Sequence, residues 1–412
     1  MKGKSRLAVI SPFLDKRHGT ERRVVEWISR LADAFEIHVY SQRVDDLNLS
    51  KITWHRIPKL PGPHLINYLW WFFANRFARI WDRRVRGLQH DIVFSPGVNC
   101  LDPDVVSVHI VFAEYIRRNR AEMEFARNPA GSWPALLHRK LYYGLIAFLE
   151  GRLYTQPKLS LILIARRTED ELRRFYGRNE EFPILYVGLD HEIFNSARRI
   201  AKREAARKEL GVAEDGFVLL LIGNDWRNKG VMAILEAMEM LNDLPVRLLL
   251  VGREDATEYR DIAEAHHLAD RVHFLPPRAD VEFYYAAADV YLGPSLEDTF
   301  AQPPAEAMAC GLPVVVSLAN GTSEIITDGV DGFILKDPAD STSLAGMIRR
   351  LYVNEELRAR MGKSAAETTK QYTWERNGED LLKIFQEIVQ RKKGPPAARP
   401  GDQELCEAPG PR

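Results

Sequence analysis

The stretch that decides the fold runs Gly293-Pro-Ser-Leu-Glu-Asp-Thr-Phe-Ala-Gln-Pro-Pro-Ala-Glu-Ala-Met-Ala-Cys-Gly-Leu-Pro-Val-Val-Val-Ser317. The residues just before it, Ala288–Leu292, form a short run typical of a β-strand. Pro303-Pro304 suits the first turn of a helix, where a missing N–H costs nothing, and Gly311 suits the end of that helix. Val314–Val316 is β-branched and apolar, as in a strand buried on both faces. The stretch therefore predicts a strand, a loop, a short helix and a second strand.

Acidic side chains lie around the start of this predicted helix. Glu297 and Asp298 are in the loop before it, and Glu306 is within it. A helix N-terminus attracts anions because its first N–H groups have no partners inside the helix. The stretch therefore predicts a seat for a phosphate group with carboxylates beside it.

The spacing of these acids, together with their flanks, resembles a known signature. Seven residues separate Asp298 from Glu306, and Ala307-Met-Ala-Cys-Gly-Leu-Pro-Val-Val315 follows. This is similar to the E-x7-E signature of retaining glycosyltransferases in family GT4, which have the GT-B fold. This stretch departs from the family pattern in two places, because Asp298 stands where the family has Glu and Ala301 replaces the glycine that follows Phe300.

The length of the chain agrees with the two-domain fold that the resemblance implies. With 412 residues it is too long for one ordinary core and fits two domains of roughly 150–200 residues. The expected class is α/β, with two facing Rossmann-like, doubly wound domains and a C-terminal helix that crosses back to the first. The predicted parts are an acceptor-side domain (1–195), a nucleotide-sugar-binding domain (196–372), the crossover helix (373–393) and a disordered tail (394–412) rich in Pro, Gly and charge.

The composition places the chain among globular proteins, with 46% hydrophobic and 28% charged residues. Its three cysteines, Cys100, Cys310 and Cys406, are far apart and show neither a disulfide framework nor zinc-site spacing, so a reducing cytoplasm is expected. The N-terminus leads into a strand and not into a signal-peptide core, and no apolar run reaches the roughly 18 residues of a membrane span. The expected location is the cytoplasm, including the inner face of the cell membrane.

The formal net charge is zero, but the charge is unevenly distributed along the chain. Residues 1–180 hold 30 Lys and Arg against 19 Asp and Glu, a balance of +11, and the remainder holds 27 against 38, a balance of −11. The first half is therefore the part expected to face an anionic partner. No nucleic-acid recognition motif accompanies this basic half, so nucleic-acid binding is not predicted.

Residues 65–86 combine aromatic and aliphatic side chains with arginines. The wider segment 51–90 has eight basic residues and one acid, Asp82. A basic amphipathic helix with Trp and Phe is typical of proteins that lie on anionic membranes. The alternative is a core helix whose arginines are merely solvated, because aromatic stripes often belong to a core. Peripheral contact with an anionic membrane through residues 65–86 and this alternative both stay open.

The chain opens with a β–loop–α–β pattern. Leu7–Ile10 and residues 36–40 have the composition of strands, and the apolar spacing of residues 20–34 predicts a helix between them. This is the start of a doubly wound sheet, in which ligands bind at the carboxyl ends of the strands. Gly19 lies in the turn before the helix. The resemblance implies close approach of the donor phosphates there, and the alternative is an ordinary strand-to-helix turn.

A histidine, His109, directly follows the predicted strand 104–108. A lone histidine is usually structural, but one at the carboxyl end of a strand in an open α/β sheet is well placed for chemistry. In GT4 a histidine after this strand lies beside the transferred sugar, so the resemblance makes His109 a candidate catalytic residue.

A loop bounded by glycines, Gly223-Asn-Asp-Trp-Arg-Asn-Lys-Gly230, follows the apolar strand predicted over 217–222. Exposed amides and fixed positive charge before a helix suit the binding of a diphosphate. The loop is similar to a GT4 element in which Lys229 matches directly. Asn224 stands at the family's usual arginine, so Arg227 is the candidate for the second cation, and otherwise it is a solvated side chain.

The resemblance assigns roles to the remaining candidates. Glu306 matches the acid that hydrogen-bonds the ribose of the donor, and Asp298 matches the acid near the transferred sugar. Asp is shorter than Glu by one methylene, or roughly 1.5 Å, which limits how far its carboxylate reaches. Donor binding is further expected beside this helix and in the glycine loop after the next strand, at Phe300, Ala301, Gln302 and Gly321.

The activity that the resemblance implies is transfer of a hexose-type sugar from a nucleotide-diphosphate sugar to a glycan or glycolipid, with retention of configuration. UDP and GDP are the expected nucleotides. No cofactor and no metal are expected, because the family holds the diphosphate with Lys, Arg and helix-start amides. The basic, aromatic first domain favours a lipid-linked or membrane-borne acceptor, as in bacterial cell-surface polysaccharide or lipopolysaccharide synthesis.

Two alternatives to a transferase stay open. One is a different enzyme on the same fold, such as a nucleotide-sugar epimerase or hydrolase, which needs no acceptor. The other is a protein that binds sugar nucleotide or membrane without turnover, since a fold does not determine a function. The departures from the family pattern at Asp298, Ala301 and Asn224, and at Val187, which replaces the family's usual Asn, are the reason to keep the second.

Overall fold

The structure is a computed structural model of the 412-residue chain. The residues that it describes are 3–16, 19–121, 123–127, 129–213 and 215–393. The tail predicted to be disordered, 394–412, lies outside the described residues. Within the described part of the chain, no helix is both long and apolar enough to cross a membrane.

The first domain is organised around a parallel sheet. Its strands are β1 (Ser5–Ile10), β2 (Phe13–Leu14), β3 (Phe35–Ser41), β4 (Arg43–Val44), β5 (Ile52–Arg56), β6 (Ile92–Pro96), β7 (Val105–Val108) and β8 (Ser160–Leu163). Six of them form one sheet in the order β5-β3-β1-β6-β7-β8, and β2 pairs separately with β4. This is the strand order of a doubly wound domain. Successive strands are added on one side of β1 as far as β5 and then on its other side from β6 onward, so the order reverses between β1 and β6.

The helices of the first domain pack on both faces of this sheet. They are α1 (Gly19–Leu31), α2 (His64–Val85), α3 (Phe112–Arg118), α4 (Trp133–Tyr154) and α5 (Thr168–Tyr176), with 3-10 turns at Phe125–Arg127 and Ala130–Ser132. Leu7 and Val9 of β1 belong to a core with α1, whereas Ala8 and Ile10 belong to a core with α2 and α4. The central strand is therefore buried on both faces, which explains its unbroken apolar run.

The second domain repeats this arrangement. Its strands are β9 (Phe217–Ile222), β10 (Val246–Val251), β11 (Val272–Leu275), β12 (Val290–Gly293), β13 (Val314–Ser317) and β14 (Phe333–Leu335). They form a parallel sheet in the order β11-β10-β9-β12-β13-β14. Both sheets thus have the same doubly wound topology, and the predicted fold class is confirmed.

The remaining helices belong to the second domain, except for the last. They are α6 (Ser196–Glu209), α7 (Val231–Glu239), α8 (Thr257–Ala265), α9 (Glu282–Ala287), α10 (Gln302–Ala309), α11 (Ser341–Val353), α12 (Glu355–Thr369) and α13 (Trp374–Lys393), with a 3-10 turn at Gly321–Ile325. The predicted strand, helix and strand over 288–317 are β12, α10 and β13. Gly311 ends α10 at φ +73°, in the left-handed region that favours glycine.

The helix α13 crosses back to the first domain, as predicted. The ring of Phe385 packs against Phe35 and Phe94, with ring centroids 6.3 and 5.4 Å apart. The side chain of Lys392 donates to Asp104 at 2.7 Å. The domain boundaries at residues 195 and 372 stay predictions.

Candidate active site

Residues that follow the carboxyl ends of strands in the two domains contact each other directly. The donor loop, which we define as residues 294–301 between β12 and α10, is held within the second domain by backbone bonds. The N–H of Asp298 donates to Ala319 O at 3.1 Å, and the N–H of Gly321 donates to Asp298 O at 2.8 Å. A Cβ at position 321 would lie 1.7 Å from the carbonyl oxygen of Thr299. Gly321 is therefore required for this close approach of the two loops.

The lysine loop, residues 223–230 between β9 and α7, brings a cation to the donor loop. The ammonium of Lys229 donates a hydrogen bond to the carboxylate of Asp298. Gly230 has φ +77°, and a Cβ there would lie 2.1 Å from Pro294 O. The backbone fixes the lysine against the aspartate, so two of the predicted site residues form one ion pair. Arg227 is exposed on the same loop.

Glu306, in α10, is buried and connects the two domains. Its carboxylate accepts a hydrogen bond from the guanidinium of Arg22 at 3.1 Å and another from the hydroxyl of Tyr285 at 2.9 Å. Arg22 lies in α1 of the first domain, 284 positions away in the sequence. Sequence reasoning missed this partner, and the only signal for it is the adjacent pair of arginines in the first turns of α1.

Further arginines of the first domain contact acids and carbonyls of the second. Arg118 is 3.1 Å from the carboxylate of Glu297, and the backbone N–H of Arg167 donates to Glu324 at 2.8 Å. The guanidinium of Arg167 also donates to Asp298 O at 3.2 Å. These contacts, with the Arg22 pair, hold the donor loop against the first domain. None of these arginines was predicted as a site residue.

His109 is placed where the sequence predicted, directly after β7. Its ring nitrogen Nε2 is 2.9 Å from Ser107 Oγ, and its ring centroid is 6.5 Å from that of Trp27 in α1. Burial lowers the pKa of His109 well below its usual value, and the charge of Arg23 lowers this pKa further. The imidazole is therefore neutral at pH 7 and can accept or donate a hydrogen bond.

A cavity of about 270 Å³ opens beside His109 in the first domain. Its wall combines the start of α1 with the inner faces of α2 and α4, including Thr20, Tyr68, Tyr142 and Glu150. Aromatic side chains together with many polar ones, among them Gln42, Asn67 and Asn99, suit a sugar or another small polar ligand with apolar faces. The cavity places such a ligand within reach of the histidine.

A family model matches the second domain. Residues 202–368 match the family described as "Glycosyl transferases group 1". We call the second domain, which carries this match, the group 1 domain. Lys229, Asp298, Glu306 and Gly321 lie inside it, whereas Gly19 and His109 are contributed by the first domain.

Curated relatives match about half of this chain. The D-inositol 3-phosphate glycosyltransferase of Stackebrandtia nassauensis is 30% identical over 230 residues, covering 52% of this chain and 51% of that protein. The protein of the same name from Thermobifida fusca is 31% identical over 252 residues, covering 56% and 57%. The chain thus spans about half the length of the curated relatives it matches.

Solved structures match nearly the whole chain. The structure of WaaG, a glycosyltransferase involved in lipopolysaccharide biosynthesis, matches with a TM-score of 0.74 at 20% identity, covering 92% of this chain and 99% of WaaG. Sucrose-phosphate synthase from Thermosynechococcus elongatus also matches at 0.74, with 19% identity and coverage of 93% and 99%. Anabaena HepE in complex with UDP matches at 0.68, with 19% identity and coverage of 93% and 100%. The chain therefore has the GT-B fold, with the group 1 domain as its second half.

The other predicted donor residues surround the start of α10 in the group 1 domain. Phe300 and Ala301 are buried, and Gln302 is the first residue of α10. The amide nitrogen of Gln302 is buried and has no hydrogen-bond partner among the described residues. Gly19 is the first residue of α1, where a Cβ would meet no atom within 4 Å, so packing does not require a glycine there.

No cluster of three or more His, Cys, Asp or Glu side chains suited to a metal ion occurs among the described residues. Asp102 and Asp104, which have the spacing of a metal-binding pair, serve structural contacts. Asp102 pairs with Arg79 at 2.5 Å. Asp104 accepts from the N–H of Val93 at 2.8 Å.

The carboxyl group of Glu150, at the base of the cavity, gives a prediction for the pH dependence of stability. Burial raises its pKa from 4.5 to about 7, although the N–H of Phe112 and the hydroxyl of Tyr176 donate to it. Because the folded state disfavours the ionised form, the contribution of Glu150 to stability is fully present below pH 4.5 and is lost as the pH rises to about 7, by about 3 kcal/mol in total.

Glu150→Gln should remove this loss, which denaturant titrations between pH 4.5 and 8 would measure. Glu367→Gln, at a carboxylate that is 71% exposed, is the control and should keep the wild-type pH dependence. Equal slopes for wild type and Glu150→Gln would contradict the raised pKa.

Proposed function

We propose that this protein is a glycosyltransferase that moves a hexose-type sugar from a nucleotide-diphosphate sugar to a glycan or glycolipid acceptor. The observation that carries the proposal is the Lys229–Asp298 ion pair, held by glycine-dependent loops at the carboxyl ends of β9 and β12 inside the group 1 domain. A cation and a carboxylate at a switch point of a doubly wound sheet suit a diphosphate and the sugar attached to it.

The donor is proposed to lie along the group 1 domain. Lys229, and Arg227 from the same loop, would neutralise the diphosphate, while the first N–H groups of α10 and the free amide of Gln302 supply hydrogen bonds. Phe300, Ala301 and Gly321 would form the surrounding surface. The Glu306 carboxylate would bind the ribose hydroxyls in exchange for its bond to Arg22. UDP and GDP are the proposed nucleotides, and the complex of HepE with UDP-glucose supports UDP by analogy of fold alone.

The proposed chemistry is an exchange of one bond to the anomeric carbon for another. The bond to the diphosphate oxygen breaks as its negative charge is stabilised by Lys229. The acceptor hydroxyl forms the new bond from the same face, and its proton passes to the departing phosphate oxygen, so the configuration is retained. Asp298 would bind the transferred sugar, and neutral His109 would offer a hydrogen bond from the first domain. Gly19 would let the phosphates approach the start of α1.

The acceptor is proposed to be membrane-borne, which places the reaction at the inner face of the cell membrane. The helix α2 buries Tyr68 and Trp71 in the core but exposes a stripe on its opposite face, at Phe73, Phe77 and Trp81, which are 72%, 68% and 51% exposed. One face of α2 is thus core and the other is exposed, and contact of the exposed face with a membrane is part of this proposal. Exposed arginines flank the stripe, at Arg76, Arg83 and Arg84.

A second apolar stripe lies on the neighbouring helix α4. Trp133, Leu137, Leu141 and Phe148 are each 45–58% exposed, at helical spacing. The cavity beside His109 lies beneath α2 and α4, since both helices contribute to its wall. An anionic bilayer complements the arginines and accepts both stripes, and it would present a lipid-linked sugar close to the cavity.

Vesicle binding tests this surface. Replacing Phe77 and Trp81 together by serine should lower partitioning onto vesicles of phosphatidylcholine with phosphatidylglycerol by about 10-fold or more, because two aromatic anchors are lost. Co-sedimentation measures the partitioning. Val353→Ser, which removes a 67% exposed apolar side chain from the second domain, is the control and should bind as wild type does. Equal vesicle binding by the double variant and by wild type would show that α2 is not part of the membrane-binding surface.

Turnover tests the function itself. Purified protein is incubated with UDP-, GDP- and ADP-sugars, with and without a detergent extract of membranes, and nucleotide release is measured. Release that needs the extract, persists in EDTA and is lost in Asp298→Ala supports the transferase. Release without the extract would indicate hydrolysis or epimerisation instead. No release, with a rise in Tm on adding nucleotide, would favour a binding protein without turnover.

A further inference from the structure

The guanidinium of Arg23, in α1, is buried and has no hydrogen-bonding partner in the described part of the chain. The residue is 2% exposed, and neither Nε nor Nη1 makes a hydrogen bond to any described residue. A buried cation is unfavourable unless charged or polar groups compensate it, so arginines in protein interiors are normally paired. This arginine therefore has an unfilled requirement for an acceptor or anion.

Arg23 lies beside the proposed active site, close enough for its charge to interact with both His109 and Asp298. Trp27 lies one turn further along the same face of α1, and its ring packs beside that of His109. The preceding residue, Arg22, reaches Glu306 across the cleft. The pKa values agree with this placement, because burial lowers the pKa of Arg23 to about 10 and the charge of Asp298 opposes that shift.

Asp298 does not supply the hydrogen bond that the guanidinium of Arg23 lacks. The aspartate carboxylate is hydrogen-bonded to Lys229, and no bond to Arg23 accompanies that pair. Lys229 of the second domain and Arg23 of the first are thus two cations that both interact with the charge of Asp298, the first through a hydrogen bond and the second without one. Two cations near one carboxylate, contributed by different domains, suit an anion with several oxygen atoms, and the planar fork of a guanidinium suits phosphate in particular.

We propose that Arg23 binds a phosphate oxygen of a bound substrate, so that the first domain contributes a cation to the phosphate site. The proposal rests on the proposed function and extends it to a residue outside the group 1 domain. The phosphate has two possible sources, the diphosphate of the donor and a phosphate carried by the acceptor. Closure of the two domains on such a ligand would bring Arg23 and Lys229 to opposite sides of it.

The test uses the full-length chain and measures binding. Wild type, Arg23→Met and Arg23→Lys are titrated by calorimetry and by thermal shift with UDP, GDP, ADP and inorganic pyrophosphate, and with inorganic phosphate at saturating nucleotide. Arg6→Met is the matched control, since Arg6 pairs with Glu36 at the surface, at the amino end of β1. Uridine, guanosine and adenosine, which lack phosphate, show whether base binding is preserved.

We expect Arg23→Met to weaken binding of the preferred nucleoside diphosphate by about 10- to 100-fold. Binding of the nucleoside should be unchanged, Arg23→Lys should recover part of the loss, and Arg6→Met should match wild type. The Tm of ligand-free Arg23→Met should stay the same or rise, because an unpaired buried charge has been removed. A purely structural role for Arg23 would instead lower the Tm and leave relative affinities unchanged.

The outcomes separate this proposal from the proposed function. Arg23→Met could bind nucleoside diphosphates as wild type does but lose binding of inorganic phosphate at saturating nucleotide. That result would support the proposed role of Arg23 and assign it to a phosphate of the acceptor. Pyrophosphate binding that depends on Arg23, without nucleotide binding by wild type, would support Arg23 and overturn the nucleotide-sugar donor. If Arg23→Met and wild type bind every phosphate ligand equally well, the proposed role of Arg23 is wrong, and the proposed function of the protein is unaffected. No phosphate binding by wild type would overturn both.

Discussion

Replacing Lys229 with methionine will lower kcat by about 10²- to 10³-fold while leaving the protein folded. Methionine keeps most of the aliphatic stem but removes the cation that is hydrogen-bonded to Asp298. The departing diphosphate would then develop its negative charge without the ammonium, and the Asp298 carboxylate would be unpaired beside it. Interactions that form with developing charge act mainly on the rate of the chemical step.

The measurement is the initial rate of nucleotide release at saturating sugar nucleotide, with Tm recorded in parallel. Lys370→Met is the matched control, because Lys370 is a 67% exposed lysine of the second domain that pairs with Glu367 at the surface. The control should turn over at the wild-type rate. A rate for Lys229→Met close to that of wild type would show that the charge is stabilised by other groups.

Replacing Gly321 with alanine will disable the site through the backbone. The added Cβ would lie 1.7 Å from Thr299 O, so the donor loop has to move. The bond from the Gly321 N–H to Asp298 O makes the aspartate part of that movement. We expect a loss of about 1–3 kcal/mol in stability from the overpacking. Turnover should fall by about 100-fold, because a displacement of about 1 Å in a catalytic group has effects of that size.

Urea unfolding and turnover assays measure the two effects separately. Gly346→Ala is the control, because Gly346 lies within α11 and a Cβ there would meet no atom within 4 Å. Alanine should stabilise that helix by about 0.5–1 kcal/mol and leave turnover unchanged. Wild-type activity in Gly321→Ala would mean that the contact between the two loops does not position Asp298.

The parts of the fold that could be predicted are those with strong local signals. The strand, helix and strand over 288–317 were predicted because prolines, a glycine and a β-branched run mark their ends. The helix α12 was missed because it buries few and mostly small side chains, among them Gly362 and Ala365, so its sequence lacks an apolar stripe. The strand β5 lies at the edge of its sheet and is only half-buried, which weakens the alternation that identifies a strand.

The candidate site also has some residues that could be predicted from the sequence and others that could not. Asp298, Glu306 and Lys229 could be placed near one another because carboxyl ends of parallel strands share one edge of a sheet. The arginines that reach them from the first domain could not, since their partners lie 131 to 284 positions away and no local pattern encodes that pairing. The burial of Arg23 likewise depends on the packing of α1 against elements far away in the sequence.

The return of α13 to the first domain has a consequence for the order in which the protein can be completed during synthesis. The ring of Phe385 fills the first core against Phe35 and Phe94, although the whole second domain is synthesised between them. Domains generally fold as units from the N-terminus while the chain is being made. The second domain can therefore finish folding first, whereas the first domain keeps the apolar face that Phe385 covers exposed until α13 has left the ribosome.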